Sequence, residues 1–210
     1  MIITDISEYK KNKYKVYVDY EFAFVLYKGE LHKYHLQKDA RIPEEIYEEL
    51  MEQVLPKRAK LRAMNLLTKR PYTEKKLREK LEEGLYPQKC VESAITYVAS
   101  FGYLDDRAYA LDYITYHMSS QSRKVMKQKL IQKGIDEKII CECLEEVGGD
   151  EGAQAEIEQI RRLFLKKYKS QIPGEPTEKA KMMSYFMRKG YSASVVKSAF
   201  QEISLDDLYN

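Results

Sequence analysis

The feature that most constrains this chain is a degenerate internal repeat. Three stretches can be laid under one another: "TEKKLREKLEEGLYPQKCVESAITYV" (73–98), "SRKVMKQKLIQKGIDEKIICECLEEV" (122–147) and "TEKAKMMSYFMRKGYSASVVKSAFQEI" (177–203). Each opens on a Ser or Thr, a helix N-cap type, and runs into a short basic helix. Each then reaches a Gly (84, 134 or 190), an apolar or aromatic residue, and a second helix. Gly just past a helix end can turn left-handed without a Cβ penalty. The step from cap to Gly lengthens by one position from copy to copy: Thr73 to Gly84, Ser122 to Gly134, Thr177 to Gly190. A further helical pattern precedes each copy, at 57–69, 106–119 and 151–169. The unit is therefore three helices, and such units bury their apolar faces against their neighbours. The expected fold is mainly α: an elongated right-handed-type stack of three tandem three-helix repeats at 57–104, 105–150 and 151–210.

A different period precedes the repeats. Residues 12–36 alternate, with Tyr14-Val16-Val18 and Phe22-Phe24-Leu26 each on one face. Asp19-Tyr20 and Lys28-Gly29 are candidate turns, which predicts a three-stranded antiparallel β-meander at 13–18, 21–27 and 30–36. Three short strands need a cover. "PEEIYEELMEQVL" supplies one, with Pro43 at a first helical position and Ile46, Leu50 and Val54 four apart. Residues 1–56 thus read as an N-terminal meander and covering helix. Beyond them the helices are expected at 57–69, 74–83, 87–101, 106–119, 122–133, 136–147, 151–169, 177–189 and 192–203. Thr73, Asp105, Asp136, Thr177 and Ser192 mark starts, and "IPGEP" at 172–176 breaks the pattern.

Charge is unevenly spread. The formal net charge is +3, but residues 1–56 carry −3 and residues 57–210 carry +6. No apolar run approaches a membrane span, and "MIITDISEYKKNKYK" lacks the layout of a secretory signal. Three cysteines (90, 141, 143) form no disulfide framework, which fits a reducing cytoplasm. A monomer is expected.

Catalytic chemistry finds little support. Asp105 and Asp106 in "SFGYLDDRAYA" are adjacent carboxylates, but a metal or acid–base site needs further ligands. Asp105 stands at an N-cap position, and Asp106 faces the positive end of a helix dipole. Gly102, Tyr103, Leu104, Asp105 and Asp106 read as the hinge between the first two repeats, with Tyr103 and Leu104 packing into both. No G-x-x-x-x-G-K-[ST] motif is present. His32, His35 and His117 form no ligand set, since the first two would point to opposite faces of a strand. The expectation is no catalytic residue, no metal and no cofactor.

Lys and Arg placement is more informative. With a turn of about 100° per residue, Arg58, Arg62 and Lys69 cluster on the first helix of repeat one, away from Ala63 and Leu67. Arg123, Lys124 and Lys127 share an arc in repeat two. Arg162, Lys166 and Lys169 lie opposite the Ile157, Ile160, Phe164 and Tyr168 stripe in repeat three. Each repeat would present a basic row, suited to an acidic protein strip or to the phosphates of non-specifically bound DNA.

The repeats, with Gly102-Tyr-Leu-Asp-Asp106, Tyr109-Ala110 and Leu130 through Lys133-Gly134-Ile135, resemble the RecX family of RecA regulatory proteins over residues 57–203. The N-terminal strands look like the extension of longer members. The resemblance implies a non-enzymatic protein that binds the RecA recombinase and its filament on DNA. It would modulate, and mostly inhibit, filament extension, ATP hydrolysis and strand exchange in recombination, DNA repair and the SOS response. The alternative is an autonomous non-specific DNA-binding helical-repeat protein.

Overall fold

Three strands form, one step earlier in the chain than the alternation places them. The structure is a computed structural model describing residues 1–149, 152–168 and 175–209, with side chains as far as Ile203. β1 (Ile3–Lys10), β2 (Lys13–Val18) and β3 (Glu21–Tyr27) make an antiparallel sheet in that order. The expected strand at 30–36 is instead helix α1 (Lys28–Lys33) and its exit. The Glu30 carboxylate explains this. It accepts the Tyr27 backbone N–H at 2.7 Å and the Arg58 guanidinium at 2.8 Å. Lys28-Gly29 therefore begins a helix rather than a turn. His32 lies in α1, and His35 lies beyond it with φ +51, so neither occupies a strand. β1 is sparse in apolar residues, but Ile6 pairs with Val16 and Ile3 is fully buried.

In the sheet, Val16 faces Phe24 and Tyr14 faces Leu26. The register shifts after Val16, which sets Tyr17 opposite Phe22 and leaves Phe22 exposed. Asp19 and Tyr20 both take positive φ, as a two-residue hairpin turn demands.

The helical run that follows is unbroken. Pro43 sits just before α2 (Glu44–Glu49) rather than inside it. A widened turn, Leu50–Val54, leads directly into α3 (Leu55–Leu67). Leu55 N–H reaches back to the Leu50 carbonyl, a five-residue step. That π geometry relieves the collision of the Pro56 ring with the carbonyl four residues earlier. Nothing in the backbone marks a division after residue 56.

The remaining helices are α4 (Glu74–Glu82), α5 (Gln88–Ser100), α6 (Asp106–His117), α7 (Arg123–Gln132), α8 (Glu137–Gly148), α9 (Gly152–Tyr168), α10 (Pro176–Arg188) and α11 (Ala193–Tyr209). Thr73, Ser122, Asp136 and Ser192 each accept a first-turn backbone N–H, at 3.3, 3.4, 2.8 and 3.3 Å. Each bond satisfies a donor that the helix start would otherwise leave open. Thr177 does not cap. Its helix begins at Pro176, whose fixed φ suits a first helical residue. Most of the "IPGEP" stretch, residues 172–174, lies outside the described residues.

The triplets α3–α5, α6–α8 and α9–α11 share one plan, in which the first and third helices make the most extensive contact. The second helix closes alike in all three. The N–H groups of Tyr86, Ile135 and Tyr191 return to the carbonyls of Leu81, Leu130 and Phe186 at 3.5, 3.2 and 3.3 Å. Such a return bond satisfies carbonyls that the helix end leaves open. Gly134 and Gly190 hold the left-handed position, with φ +93 and +92. In the first repeat Leu85, not Gly84, holds it, with φ +58. Gly84 is small for another reason: a Cβ there would stand 3.0 Å from both the Leu81 carbonyl and the Tyr86 ring.

The chain divides into two units, Met1–Asp105 and Asp106–Asn210. The first has one continuous core, in which Val16, Phe24 and Leu26 of the sheet join Leu50, Ala59, Ala63, Leu77, Val91 and Val98. The second holds a cluster around Ile114, Leu130 and Ile140, and another around Ile160, Phe164, Phe186 and Val196. Cys90 and Cys143 are buried, Cys141 is half-buried, and none of the three is in a disulfide. Among the described residues no helix is long and apolar enough to cross a membrane.

Candidate interaction surface

The three basic rows do not behave as rows. In the first, Arg62 is exposed on α3, but Arg58 is drawn inward. Arg58 pairs with Glu30, donates to the Val25 carbonyl, and lies over the rings of Tyr27 and Tyr86, 5.0 and 5.7 Å from their centroids. It ties β3 and α1 to the first repeat. Lys69 is exposed but falls beyond the end of α3 at Leu67, so a helical angle does not apply to it.

In the second row only Lys124 is fully exposed. The Arg123 guanidinium donates to the Leu144 carbonyl at 2.9 Å, and its backbone N–H donates to Glu156 at 2.8 Å. It joins α7 to α8 and α9. Lys127 pairs with Glu137 at 2.7 Å and reaches the Cys141 sulfur at 3.2 Å; these two bonds raise its pKa. In the third row Arg162 and Lys166 are exposed, and Lys169 lies outside the described residues. The exposed subset is Arg62, Lys69, Lys124, Arg162 and Lys166.

The contact between repeats two and three is polar at its heart. Glu156 and Gln159 are only 8% and 4% exposed. Gln159 donates to the Met118 carbonyl and accepts the Tyr191 hydroxyl at 2.8 Å. The Ser122 hydroxyl donates to the Lys189 carbonyl at 3.0 Å. Burial raises the Glu156 carboxyl, against the opposing pull of the Arg123 N–H and charge. Burial, helped by the Glu156 charge, pushes the Tyr191 phenol up to about 12. Glu156 and Gln159 also line a cavity with room for about one water.

Gly102 of the expected hinge takes φ +69 with open space around it. Tyr103 does not pack inward; it is exposed and stacks on Phe101 at 6.0 Å. Leu104 packs on the first unit's core. Asp105 precedes α6 and is exposed, and Asp106 is in its first turn. No group of three or more His, Cys, Asp or Glu among the described residues is placed to hold a metal ion.

Sequence reading missed an exposed aromatic cluster, Tyr97, Phe101 and Tyr103, with the Lys60 ammonium 5.2 Å from the Tyr97 ring centroid. The four-residue step from Tyr97 to Phe101 signals that they share a helix face, but only packing shows that this face is uncovered.

Three comparisons bear on this arrangement. The description "RecX, first three-helix domain" matches residues 59–97, the second 105–144 and the third 154–200. Regulatory protein RecX of Clostridium acetobutylicum is 30% identical over 197 residues, covering 92% of this chain and 91% of its own. The chain belongs to the RecX family. The RecX of Clostridium perfringens is 28% identical over 207 residues, covering 96% of each. A crystal structure of regulatory protein RecX covers 95% of this chain and 98% of its own, with a TM-score of 0.65 and 25% identity. RecX from Lactobacillus salivarius shares the fold, with a TM-score of 0.63 over 72% of this chain and 98% of its own, at 20% identity. The three RecX domains fall on α3–α5, α6–α8 and α9–α11, so the triplets read from the sequence are those of the family.

Proposed function

We propose that this protein is a non-enzymatic regulator that binds the RecA recombinase filament on DNA and restrains its extension, its ATP hydrolysis and strand exchange. The observation that carries this reading is the succession of three RecX domains along one chain whose relatives are named regulatory proteins. The first unit offers Arg62 and the Tyr97–Phe101–Tyr103 cluster as exposed contact groups, and the second unit offers Lys124, Arg162 and Lys166. Exposed aromatic side chains are frequent anchors of protein interfaces, while peripheral charge sets on-rate and register.

The test is a titration against RecA assembled on single-stranded DNA and against the same DNA bare. Affinity at least tenfold higher for the filament, with slowed ATP hydrolysis, is the expected result. Charge reversal at Arg62, Lys124, Arg162 and Lys166 should weaken inhibition and leave thermal unfolding unchanged. Equal affinity for bare DNA and filament would favour the autonomous DNA-binding reading instead.

A further inference from the structure

A groove in the first unit, which shares only Arg58 and Arg62 with the three rows, has its own chemistry. It encloses about 450 Å³ between the β1–β2 hairpin, α3 and the end of α4. The hairpin contributes Tyr9, Lys10 and Lys13, α3 contributes Arg62 and Asn65, and α4 contributes Lys80. Arg58, lying over Tyr27 and Tyr86, sits between these walls. The charge is one-sided. Five cations line the groove against one carboxylate, Glu83, which Lys80 already pairs at 2.6 Å, while Glu30 neutralises Arg58. Lys10, Lys13 and Arg62 form no ion pair among the described residues. Lys10 lies 4.8 Å from the Tyr9 ring centroid and Lys13 5.1 Å from that of Tyr27. Both ammoniums are held beside aromatic rings and left without an anion.

We propose that this groove binds single-stranded nucleic acid, with Lys10, Lys13 and Arg62 on phosphates and the Tyr9, Tyr27 and Leu61 rim against a base. The pairing of a cationic track with apolar and aromatic rim groups is what such a strand requires. The volume suits one nucleotide at a time and is within the ordinary range for small-ligand sites. An acidic peptide would satisfy the cations, but its carboxylates bring no flat apolar group to Leu61, which is 56% exposed, or to Tyr27, which is 39% exposed. A duplex keeps its bases stacked inside and offers the rim nothing. The proposal goes beyond the regulatory reading and does not depend on it, because it needs no recombinase.

The experiment is fluorescence anisotropy of the full chain with a labelled oligothymidylate of about twenty nucleotides at 50 mM salt, with no recombinase present. Lys10→Ala/Lys13→Ala and Arg62→Ala should each weaken binding about tenfold. The double variant should lower the salt slope by about 1.4, or about 0.7 for each lost phosphate contact on a single strand. Lys138→Ala/Lys181→Ala, at exposed positions outside the groove, should change neither. Unaltered affinity in the groove variants would overturn the site. So would no binding by the unaltered protein below about 100 μM, which is the weak end of the range for non-specific contact. Equal or tighter binding of a polyglutamate peptide or of a duplex would replace a single-stranded ligand with an acidic protein or with DNA at large, and would overturn the proposal. Photocross-linking of a 5-iodouracil oligonucleotide to the unaltered protein guards against variants that misfold. Cross-links at Tyr9, Tyr27 or Tyr86 support the groove, and cross-links confined to other peptides reject it. Failure here leaves the filament titration untouched, and failure there leaves this groove in place.

Discussion

Gly190 and Gly102 are both left-handed, yet their surroundings differ enough to predict different costs. Around Gly102 nothing lies within 4 Å of an added Cβ. An Ala there meets only the backbone penalty, about 1–2 kcal/mol. At Gly190 the Cβ would stand 2.5 Å from the Ser122 Oγ and 2.8 Å from a Val125 methyl. Ser122 caps α7 and also donates to the Lys189 carbonyl, so it cannot retreat without giving up both bonds. Gly190→Ala should therefore cost about 3 kcal/mol or more, at least about 1 kcal/mol beyond Gly102→Ala. Chemical denaturation of the two variants measures the difference; equal losses would show that Ser122 yields easily. The motif pointed to glycine at these turns, and the turn is present in every repeat. Which residue holds the left-handed position was not legible in the first repeat, because Gly84 is selected by the Tyr86 ring beside it and Leu85 bears the strain. Charge was legible only as an angle on a helix. Nothing in α3 alone says that Glu30, 28 positions earlier, will capture Arg58 and leave Arg62 in solvent.

At the scale of elements, the starts of α4, α7, α8 and α11 were readable because Thr73, Ser122, Asp136 and Ser192 cap them where the sequence places a cap. The N-terminal elements were less so. β1 has few apolar residues, and its place in the sheet rests on pairing with β2, a long-range bond that periodicity does not report. The stretch after β3 alternates like a strand, and one carboxylate bound to its own first turn makes it helical. The join between repeats two and three was invisible for a similar reason: Glu156 and Gln159 look like solvent positions on α9 until α7 and the Tyr191 turn close over them. Glu156 supplies a pH test. Its folded pKa lies above its unfolded value, so the folded state holds the proton more tightly than the unfolded state does. Stability is then full below the unfolded pKa and falls as pH rises toward the folded one. Gln keeps the acceptor for the Arg123 N–H and cannot ionise. Glu156→Gln should match the parent protein near pH 4, melt at a higher temperature at pH 7–8, and show a flatter dependence between. A parent protein that gains stability over this window relative to the Gln variant would mean that the Arg123 interaction outweighs burial.

For the whole molecule, the repeat was the most legible feature and the organisation of the first unit the least. A chain with three copies of one triplet invites a division at the start of the first copy, after residue 56. The continuous helix through the Leu50–Val54 turn and the single core from Val16 to Val98 show the sheet and the first triplet joined as one body. The physical reason is area. A three-stranded sheet with one short helix buries too little apolar surface to offset its conformational entropy, whereas about a hundred residues around one core can do so. Residues 1–105 expressed alone should melt in one cooperative transition followed by circular dichroism, with near-native helix content for α2 through α5. Residues 1–56 alone should show no cooperative transition, because Val16, Phe24 and Leu26 would lose Ala59, Ala63 and Val91 from their shared core. Arg58 gives the same experiment a finer edge. Arg58→Ala in the 1–105 fragment removes the ties to Glu30 and the Val25 carbonyl. Losing two hydrogen bonds from a charged donor should lower its stability by about 3 kcal/mol. A cooperative melt of residues 1–56, or an Arg58→Ala fragment as stable as its parent, would return the sheet to the status of a separate domain.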